Sequence, residues 1–208
     1  MTLTTSLLRL YVVRHGESIA NANGILESRN DSPLTDLGRK QADKLAGKLR
    51  DVQWRKVFSS PSLRARSTAE IIAGPVAVET LTDLAEMDVP LWEGFTWEDV
   101  QDKFPADYEA FRNDPEHYKP ATGETFQAVA VRTGRLLARI QRDFAGEGGG
   151  FLLVTHSVIV NMLLISAAQK RIDDIKSSEK VGNASIRILR WNGKQFEREQ
   201  EVQMVNRM

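Results

Sequence analysis

The chain has 208 residues, of which 41% are hydrophobic and 27% charged, and its 28 basic residues are balanced by 28 acidic ones. This composition is typical of a globular protein of one domain, and a net charge of zero argues against a nucleic-acid-binding protein, which needs a basic face. There are no cysteines, so disulfides, thiolate nucleophiles and zinc–cysteine sites are excluded.

Residues 1–8 lack the basic start before an apolar core that a signal peptide has. No apolar run of the chain approaches the roughly 20 residues that cross a membrane. We therefore expect a cytoplasmic protein with neither a membrane nor a nucleic-acid partner.

The first predicted strand covers Leu10–Val13, four apolar residues that are rich in β-branching. Arg14 and His15 follow where this strand should end, and Gly16 permits a sharp turn or the close approach of a ligand. Ligands of open α/β sheets bind beyond the carboxyl ends of strands, and an arginine beside an imidazole suits a phosphate there. The alternative is that this pair only marks where the sheet meets solvent.

The next elements are predicted as a loop over 17–30, a helix capped by Thr35, a strand over 56–60, a helix over 63–72 and a strand over 76–78. Arg64 lies in the first turn of the second helix, where a cation is unfavourable for the helix dipole. Its position makes more sense if an anion lies nearby, although an exposed arginine is the alternative.

The middle of the chain mixes acidic residues with large apolar ones over 81–94, a setting in which the pKa of a carboxyl group could rise. Glu86 is a candidate proton donor in this stretch, and a solvated loop is the alternative. One or two short helices broken at Pro105 are predicted over 97–112. The aromatic-rich region 87–122 could cap a site or form a surface-packed insertion.

A long helix is predicted after Gly123–Thr125, and a glycine cluster over 146–150 should form a turn. The predicted strand Phe151–Thr155 resembles the first strand, because it too is apolar and is followed by a histidine, His156. An apolar helix over 158–168 and a β-hairpin over 184–205, with a type I′ turn at Asn192 and Gly193, complete the chain. The hairpin leaves an edge at which two copies could pair.

Two strands that end in histidine would bring their imidazoles together if the strands are neighbours in the sheet. With Arg14 and Arg64, such a pocket would bind a phosphoryl group and neutralise its oxygens during transfer. A neutral imidazole could attack phosphorus directly, and the leaving alkoxide would need a proton from a carboxylic acid with a raised pKa.

Six short blocks follow one another over most of the chain in a recognisable order. They are Val13–Ser18 with Asn21; Asp31–Thr35 with Gly38, Gln41 and Ala42; Ser59–Pro61 through Arg64–Ala65 with Thr68 and Ala69; Leu84–Glu86 with Trp92–Gly94; Gly123–Thr125 with Arg132; and Val154–His156. In these blocks the chain resembles the histidine phosphatase superfamily, which has the phosphoglycerate-mutase-like fold. The resemblance implies a three-layer α/β/α sandwich with a mostly parallel central sheet, formed by a single domain over 1–208 with 87–122 as a cap insertion.

The resemblance also implies a role for each matching residue. His15 would be the nucleophile that becomes phosphorylated, and Glu86 would donate a proton to the leaving group and then help to activate water. Four residues would hold the phosphate: Arg14, Asn21, Arg64 and His156. Neither a metal nor a cofactor is implied, and the partners would be a small phosphomonoester and inorganic phosphate.

Two departures from relatives bear on the reaction. Ser157 replaces the glycine that many relatives have after the last histidine, and Met87–Pro90 replaces the Arg and Tyr that usually follow the acid in phosphoglycerate mutases. The segment from there to Gly123 is also short. These features favour a metal-independent phosphomonoesterase, a histidine acid-type phosphatase of small phosphorylated metabolites. The alternatives are a phosphoglycerate mutase and a non-catalytic module that binds phosphorylated ligands, and the substrate stays open among sugar, amino-acid, nucleotide and protein phosphates.

Overall fold

The computed structural model describes residues 7–199, which form a mixed six-stranded sheet with helices on both faces. The strands are β1 (Leu8–Arg14), β2 (Trp54–Ser59), β3 (Val78–Thr80), β4 (Gly149–Thr155), β5 (Ile186–Trp191) and β6 (Phe196–Arg198). The α-helices are α1 (Ile19–Ala22), α2 (Asp36–Lys48), α3 (Leu63–Ala73), α4 (Trp97–Lys103), α5 (Pro105–Asn113), α6 (Phe126–Phe144) and α7 (Ser157–Ala167). Short 3-10 helices cover Thr82–Leu84, Pro90–Trp92 and Ile172–Ser177.

The order of the strands in the sheet places the two histidine-terminated strands side by side. That order is β3-β2-β4-β1-β5-β6, with β1 parallel to β4 and Arg14 opposite Thr155. Strand β2 is parallel to both β3 and β4, whereas β5 and β6 run antiparallel to their neighbours. Because β1 and β4 end at the same edge of the sheet, the next residue of each strand, His15 and His156, emerges there. The condition that the sequence left open, that the two strands are neighbours, is met.

Strand β1 is buried on both faces, which explains its continuous apolar sequence. Leu10 and Val12 pack in a cluster with side chains of α6 and α7, whereas Tyr11 and Val13 pack in a second cluster with α2 and α3. This alternation follows from the two-residue period of a strand. Burying one such aliphatic side chain contributes about 1.5–3 kcal/mol to stability. The result is the predicted three-layer α/β/α sandwich, which is confirmed.

Two predicted elements differ from the structure near the start of the chain. The predicted loop over 17–30 contains the short helix α1, whose N-terminus is capped by the Ser18 hydroxyl through the amide of Asn21. The third strand lies at Val78–Thr80 rather than over 76–78. Helix α3 is followed by Gly74, which has a φ of 59°. The residues after Gly74 turn the chain back towards the sheet, so the strand begins later than predicted.

The type I′ turn predicted for the closing hairpin is wrong. Trp191 pairs with Phe196, so four residues connect β5 and β6 instead of two. The side-chain oxygen of Asn192 accepts hydrogen bonds from the amides of Lys194 and Gln195, which stabilises this longer loop. Side-chain-to-backbone bonding of this kind competes with the tight turn. The part of the predicted hairpin over 200–205 lies outside the described residues.

The aromatic region 87–122 folds as the sequence predicts, with two helices that meet at Pro105. Two of its rings, those of Trp92 and Tyr118, are buried. Trp92 contacts the half-buried Phe111 with ring centroids 5.0 Å apart, and Phe111 contacts Phe126 of α6 at 4.9 Å. These contacts join the region to the core beneath α6. Between residues 7 and 199, no helix has both the length and the apolar character that crossing a membrane requires.

Candidate active site

His15 lies at the end of β1 with its side chain almost fully buried. Its Nδ1 lies 2.7 Å from the carbonyl oxygen of Gly16, which can only accept a hydrogen bond. The ring proton is therefore on Nδ1, and the lone pair of Nε2 is left for a ligand. Burial, together with the charges of Arg64 and Arg14, holds the pKa of His15 well below its usual value. The imidazole is thus kept neutral, which is the form that can act as a nucleophile.

The loop after His15 is fixed by close contact with α2 and α3. The amide of Gly16 donates to the Thr68 hydroxyl of α3 at 3.0 Å. A Cβ atom on Gly16 would lie 2.5 Å from the carbonyl oxygen of Gly38, and one on Gly38 would lie 2.1 Å from that of Glu17. Only glycine at both positions allows the two backbones to approach this closely.

His156 is the N-cap residue of α7 and lies next to His15, with their ring centroids 5.0 Å apart. Its Nε2 lies 2.8 Å from the hydroxyl of Ser60, and its Nδ1 lies 3.4 Å from Nη2 of Arg64. Because a guanidinium only donates, Nδ1 accepts and Nε2 donates. Burial and the nearby His15 and Arg64 lower the pKa of His156 well below its usual value, so this ring is also neutral.

Arg64 is buried at the first turn of α3, with its side chain only 1% exposed. Its Nη1 donates to the carbonyl oxygen of Asn30 at 2.9 Å and to a carboxylate oxygen of Asp31 at 3.1 Å. The carboxylate of Glu27 lies 3.7 Å away. The anion that the sequence predicts near Arg64 is thus supplied in part by the protein itself, which holds the guanidinium in one orientation.

Arg14 reaches the carbonyl oxygen of Val181, to which its Nη1 donates at 2.7 Å. Its Nε is buried and has no hydrogen-bond partner among residues 7–199. A buried donor without a partner is costly, so a ligand that accepts from it would be favoured. Burial lowers the pKa of Arg14, and the neighbouring carboxyl of Glu86 acts in the opposite direction.

Asn21 lies one turn beyond the loop, in α1. Its side-chain oxygen accepts from Nδ2 of Asn183 at 2.8 Å and from the amide of Ser18 at 3.4 Å. These two donors fix the orientation of the Asn21 amide group. Its own Nδ2 is therefore the atom left to donate to an anion.

Glu86 follows the 3-10 helix Thr82–Leu84 and is half-buried next to the start of α7. Its carboxyl group accepts from the amide of Met87 at 2.9 Å and is also hydrogen-bonded by the backbone of Val158. Desolvation raises the pKa of Glu86, and these amides, Arg14 and Arg64 only partly oppose the rise. A raised carboxyl pKa is the direction of shift that favours a proton donor.

The structure therefore brings the six predicted site residues to one edge of the sheet. There the charges of Arg14 and Arg64 both lower the pKa of His15. Ser157, which departs from the sequence of many relatives, is half-buried at the first position of α7, directly after His156. Its position does not by itself give the hydroxyl a function.

Sequence reasoning missed the segment 181–185, which braces the end of β1. The amide of Ala184 and Nδ2 of Asn183 donate to the carbonyl oxygen of His15 at 3.0 and 3.2 Å. The amide of Arg14 donates to the carbonyl oxygen of Ser185 at 3.0 Å. Ala184 has a φ of 50°, an unusual conformation for a residue with a Cβ atom. No sequence signal marks it, because nothing in the residue type indicates a positive φ.

The site and fold define an α/β protein with two neutral imidazoles, two guanidinium groups and a half-buried carboxyl group at the carboxyl edge of its sheet. The family model of the histidine phosphatase superfamily (branch 1) matches residues 10–202. The chain belongs to this superfamily.

Named relatives and a solved structure agree with this assignment. The chain is 32% identical over 193 residues to a metal-independent phosphoserine phosphatase of Arabidopsis thaliana, covering 89% of this chain and 77% of the relative. It is 31% identical over 159 residues to the adenosylcobalamin/alpha-ribazole phosphatase of Escherichia coli K12, covering 76% and 77%. The solved structure of Bacillus stearothermophilus YhfR superposes with a TM-score of 0.87 at 30% identity, covering 93% of this chain and 96% of that one.

Proposed function

We propose that this protein is a metal-independent phosphomonoesterase that hydrolyses small phosphorylated metabolites through a phosphohistidine on His15. The observation that carries the proposal is the neutral, buried imidazole of His15, whose Nε2 lone pair is free while Nδ1 is bonded to Gly16. The two curated relatives described above are both named as phosphatases, which supports hydrolysis.

The first half of the reaction transfers the phosphoryl group to the enzyme. Nε2 of His15 attacks phosphorus, and the bond between phosphorus and the leaving oxygen breaks. Glu86 gives its proton to that oxygen, so the alcohol leaves uncharged. Four residues hold the charge on the phosphoryl oxygens in this step: Arg14, Asn21, Arg64 and His156. The Nε2–H of His156, which donates to the Ser60 hydroxyl in this structure, would donate to a phosphoryl oxygen instead.

The second half returns the enzyme to its starting state. The Glu86 carboxylate takes a proton from water, and the water oxygen attacks the phosphorus of the phosphohistidine. The phosphorus–nitrogen bond breaks, inorganic phosphate is released, and His15 is again a neutral imidazole. Glu86 ends the cycle protonated and ready for the next ester.

The region 87–122 is proposed to shape the side of the pocket that receives the leaving group. It directly follows Glu86, and the amide of Val89 donates to the Ser28 hydroxyl at 3.3 Å. The carbonyl oxygen of Ser28 accepts from Nη2 of Arg64 at 3.4 Å. The region is therefore tied to the loop that anchors the phosphate-binding arginine.

The test is hydrolysis of a panel of phosphomonoesters, beginning with p-nitrophenyl phosphate, in the presence of a metal chelator. We expect turnover that resists the chelator and is abolished in His15→Ala, which should retain the thermal stability of the parent protein. Turnover that survives in the variant would exclude His15 as the nucleophile, and turnover that the chelator removes would exclude a metal-independent reaction.

Two alternatives predict different results in the same panel. A phosphoglycerate mutase would exchange phosphoryl groups between phosphoglycerates with stimulation by a bisphosphate and would hydrolyse little. A binding module would bind inorganic phosphate without turning over any ester. The short segment between Glu86 and Gly123 argues against the mutase. The carboxyl group of Glu86, with its raised pKa and its place at the same edge of the sheet as the two histidines, argues against the binding module.

A further inference from the structure

Arg132 of α6 lies beneath the loop that carries Glu86. Its side chain is 9% exposed, and its Nη1 donates to the carbonyl oxygen of Asp83 at 2.7 Å. Its Nη2 donates to the carbonyl oxygen of Glu86 itself at 3.3 Å. One guanidinium therefore holds two backbone carbonyls of this loop, three residues apart.

Glu124 holds both this arginine and the other end of the loop. Its two carboxylate oxygens accept from Nε and Nη2 of Arg132 at 2.9 and 3.0 Å. One of them also accepts from the amide of Asp88 at 2.9 Å, and the amide of Glu124 donates to the carbonyl oxygen of Asp88 at 2.8 Å. Glu86 thus lies between two anchored points, Asp83 and Asp88.

Gly123 allows this close approach of the two chain segments. It has a φ of 99°, and a Cβ atom there would lie 2.3 Å from the carbonyl oxygen of Asp88. The backbone of 123–124 therefore lies directly against the residue that ends the Glu86 loop. The contact is between two backbones, which leaves the loop little freedom to shift.

A buried ion pair is weak evidence for stabilisation of the fold, because the cost of desolvating two charges offsets much of their attraction. The bidentate geometry between Arg132 and Glu124 does impose a fixed orientation on the guanidinium. Two of its remaining hydrogen-bond donors, one on Nη1 and one on Nη2, are directed at the loop that carries Glu86.

We propose that Arg132 and Glu124 are positioning residues for the proton donor Glu86, an inference that rests on the function proposed above. A general acid acts only within hydrogen-bond reach of the leaving oxygen, and a displacement of about 1 Å can cost about 100-fold in rate. Loosening the loop should therefore weaken proton donation more than it weakens phosphate binding.

The test compares two aryl esters that differ chiefly in the basicity of the leaving group. Phenyl phosphate needs a proton donor, whereas p-nitrophenyl phosphate has a stabilised leaving anion and needs one less. In Arg132→Lys, a single ammonium group replaces the guanidinium. It cannot donate to both backbone carbonyls and to the Glu124 carboxylate at the same time. Because hydrolysis of the phosphohistidine is common to both esters, the readout is kcat/KM, which reports only on transfer to His15. We expect kcat/KM for phenyl phosphate to fall about 10- to 100-fold, and kcat/KM for p-nitrophenyl phosphate to fall less than about 3-fold.

A second variant and a matched control keep the inference falsifiable. Glu124→Gln preserves the shape of the side chain and should show the same selective loss in smaller degree. Arg139→Ala removes another arginine of α6, one that pairs with Glu79 at 3.6 Å on the surface, and should leave both rates unchanged. Thermal unfolding of each variant shows whether a loss of activity comes from a displaced Glu86 or from an unfolded protein.

Equal losses on the two esters, or no loss on either, would overturn the positioning role. Failure of both variants to fold would also overturn it and assign the pair to stability. The parent protein and His15→Ala are measured alongside. A parent without turnover, or a His15 variant that keeps it, would instead contradict the phosphohistidine reaction itself, and the positioning role would fall with it.

Discussion

At the scale of single residues, the site keeps three titratable groups away from their usual protonation behaviour. His15 and His156 are neutral because both rings are buried beside guanidinium groups. The carboxyl of Glu86 is held towards its protonated form by burial, although two cations are near it. A neutral imidazole beside a carboxyl group whose pKa is raised is the combination that the proposed cleavage of a phosphomonoester needs.

This arrangement predicts a specific pH dependence for Glu86. If Glu86 is the proton donor, it acts while protonated, so kcat/KM for phenyl phosphate should fall as the pH rises through the pKa of Glu86, which lies above 4.5. Glu86→Gln should remove this limb and lower kcat/KM for phenyl phosphate by about 100-fold or more. The kcat/KM for p-nitrophenyl phosphate, which does not include hydrolysis of the phosphohistidine, should change much less. Equal losses on both esters would show that Glu86 is not the acid.

At the scale of secondary-structure elements, α2 positions the loop that follows His15. The amide of Thr35, at the helix N-terminus, donates to the carbonyl oxygen of Glu17 at 2.9 Å, and the amide of Glu17 donates to the side chain of Gln41. Gly38 lies between these contacts, where the helix meets the loop. The first turn of α2 is therefore part of the framework of the site.

Two glycines of the same helix give a matched test of this role. In Gly38→Ala the new methyl group would meet a backbone oxygen, so we expect a loss of about 1–3 kcal/mol in the free energy of unfolding, together with reduced turnover. Gly47 is exposed with nothing within 4 Å of its Cβ direction, and Gly47→Ala should gain about 0.5–1 kcal/mol without a change in rate. Urea unfolding and kcat on p-nitrophenyl phosphate measure both effects. An active, fully stable Gly38→Ala protein would contradict the close packing.

At the scale of the whole molecule, the buried histidines link folding to pH. A histidine with a lower pKa in the folded chain than in the unfolded chain is protonated preferentially on unfolding. Such a histidine contributes to the free energy of unfolding at pH values above its pKa in the unfolded chain, near 6.5. This contribution is lost as the pH falls below that pKa. Glu86 has the opposite effect, since its raised pKa favours the fold as the pH falls.

The linkage of His15 can be isolated in a background that lacks Glu86. We compare the free energy of unfolding of Glu86→Gln with that of the double variant Glu86→Gln/His15→Asn between pH 7.5 and 5.5. As the pH is lowered across this range, the free energy of unfolding of the single variant should fall more. Only the single variant contains His15, which is neutral in the folded chain and takes up a proton when the chain unfolds. Parallel curves would mean that His15 has the same pKa in both states.

Much of the site follows from the sequence because its residues stand at the ends of recognisable elements. The apolar run before Arg14 and His15 and its repeat before His156 predict two buried strands, and the ordered motifs supply Arg64, Asn21 and Glu86. Local propensities also place the helices from Asp36 and Phe126 within a few residues. By contrast, the turn after Trp191 was mispredicted because the Asn192 side chain bonds to the following amides and stabilises a longer loop.

The sequence by itself determined the family and the layered α/β fold and predicted the residues that would bind a phosphoryl group, because these depend on local pattern and residue type. Only the tertiary structure decided the pairing of β1 with β4, which side-chain nitrogen of His15 carries the proton, and the bracing of His15 by Asn183 and Ala184. The strand pairing and the bracing depend on contacts between residues more than 100 positions apart, and the proton on His15 depends on the orientation in which the fold holds the ring against the carbonyl oxygen of Gly16. Neither can be read from a short stretch of chain.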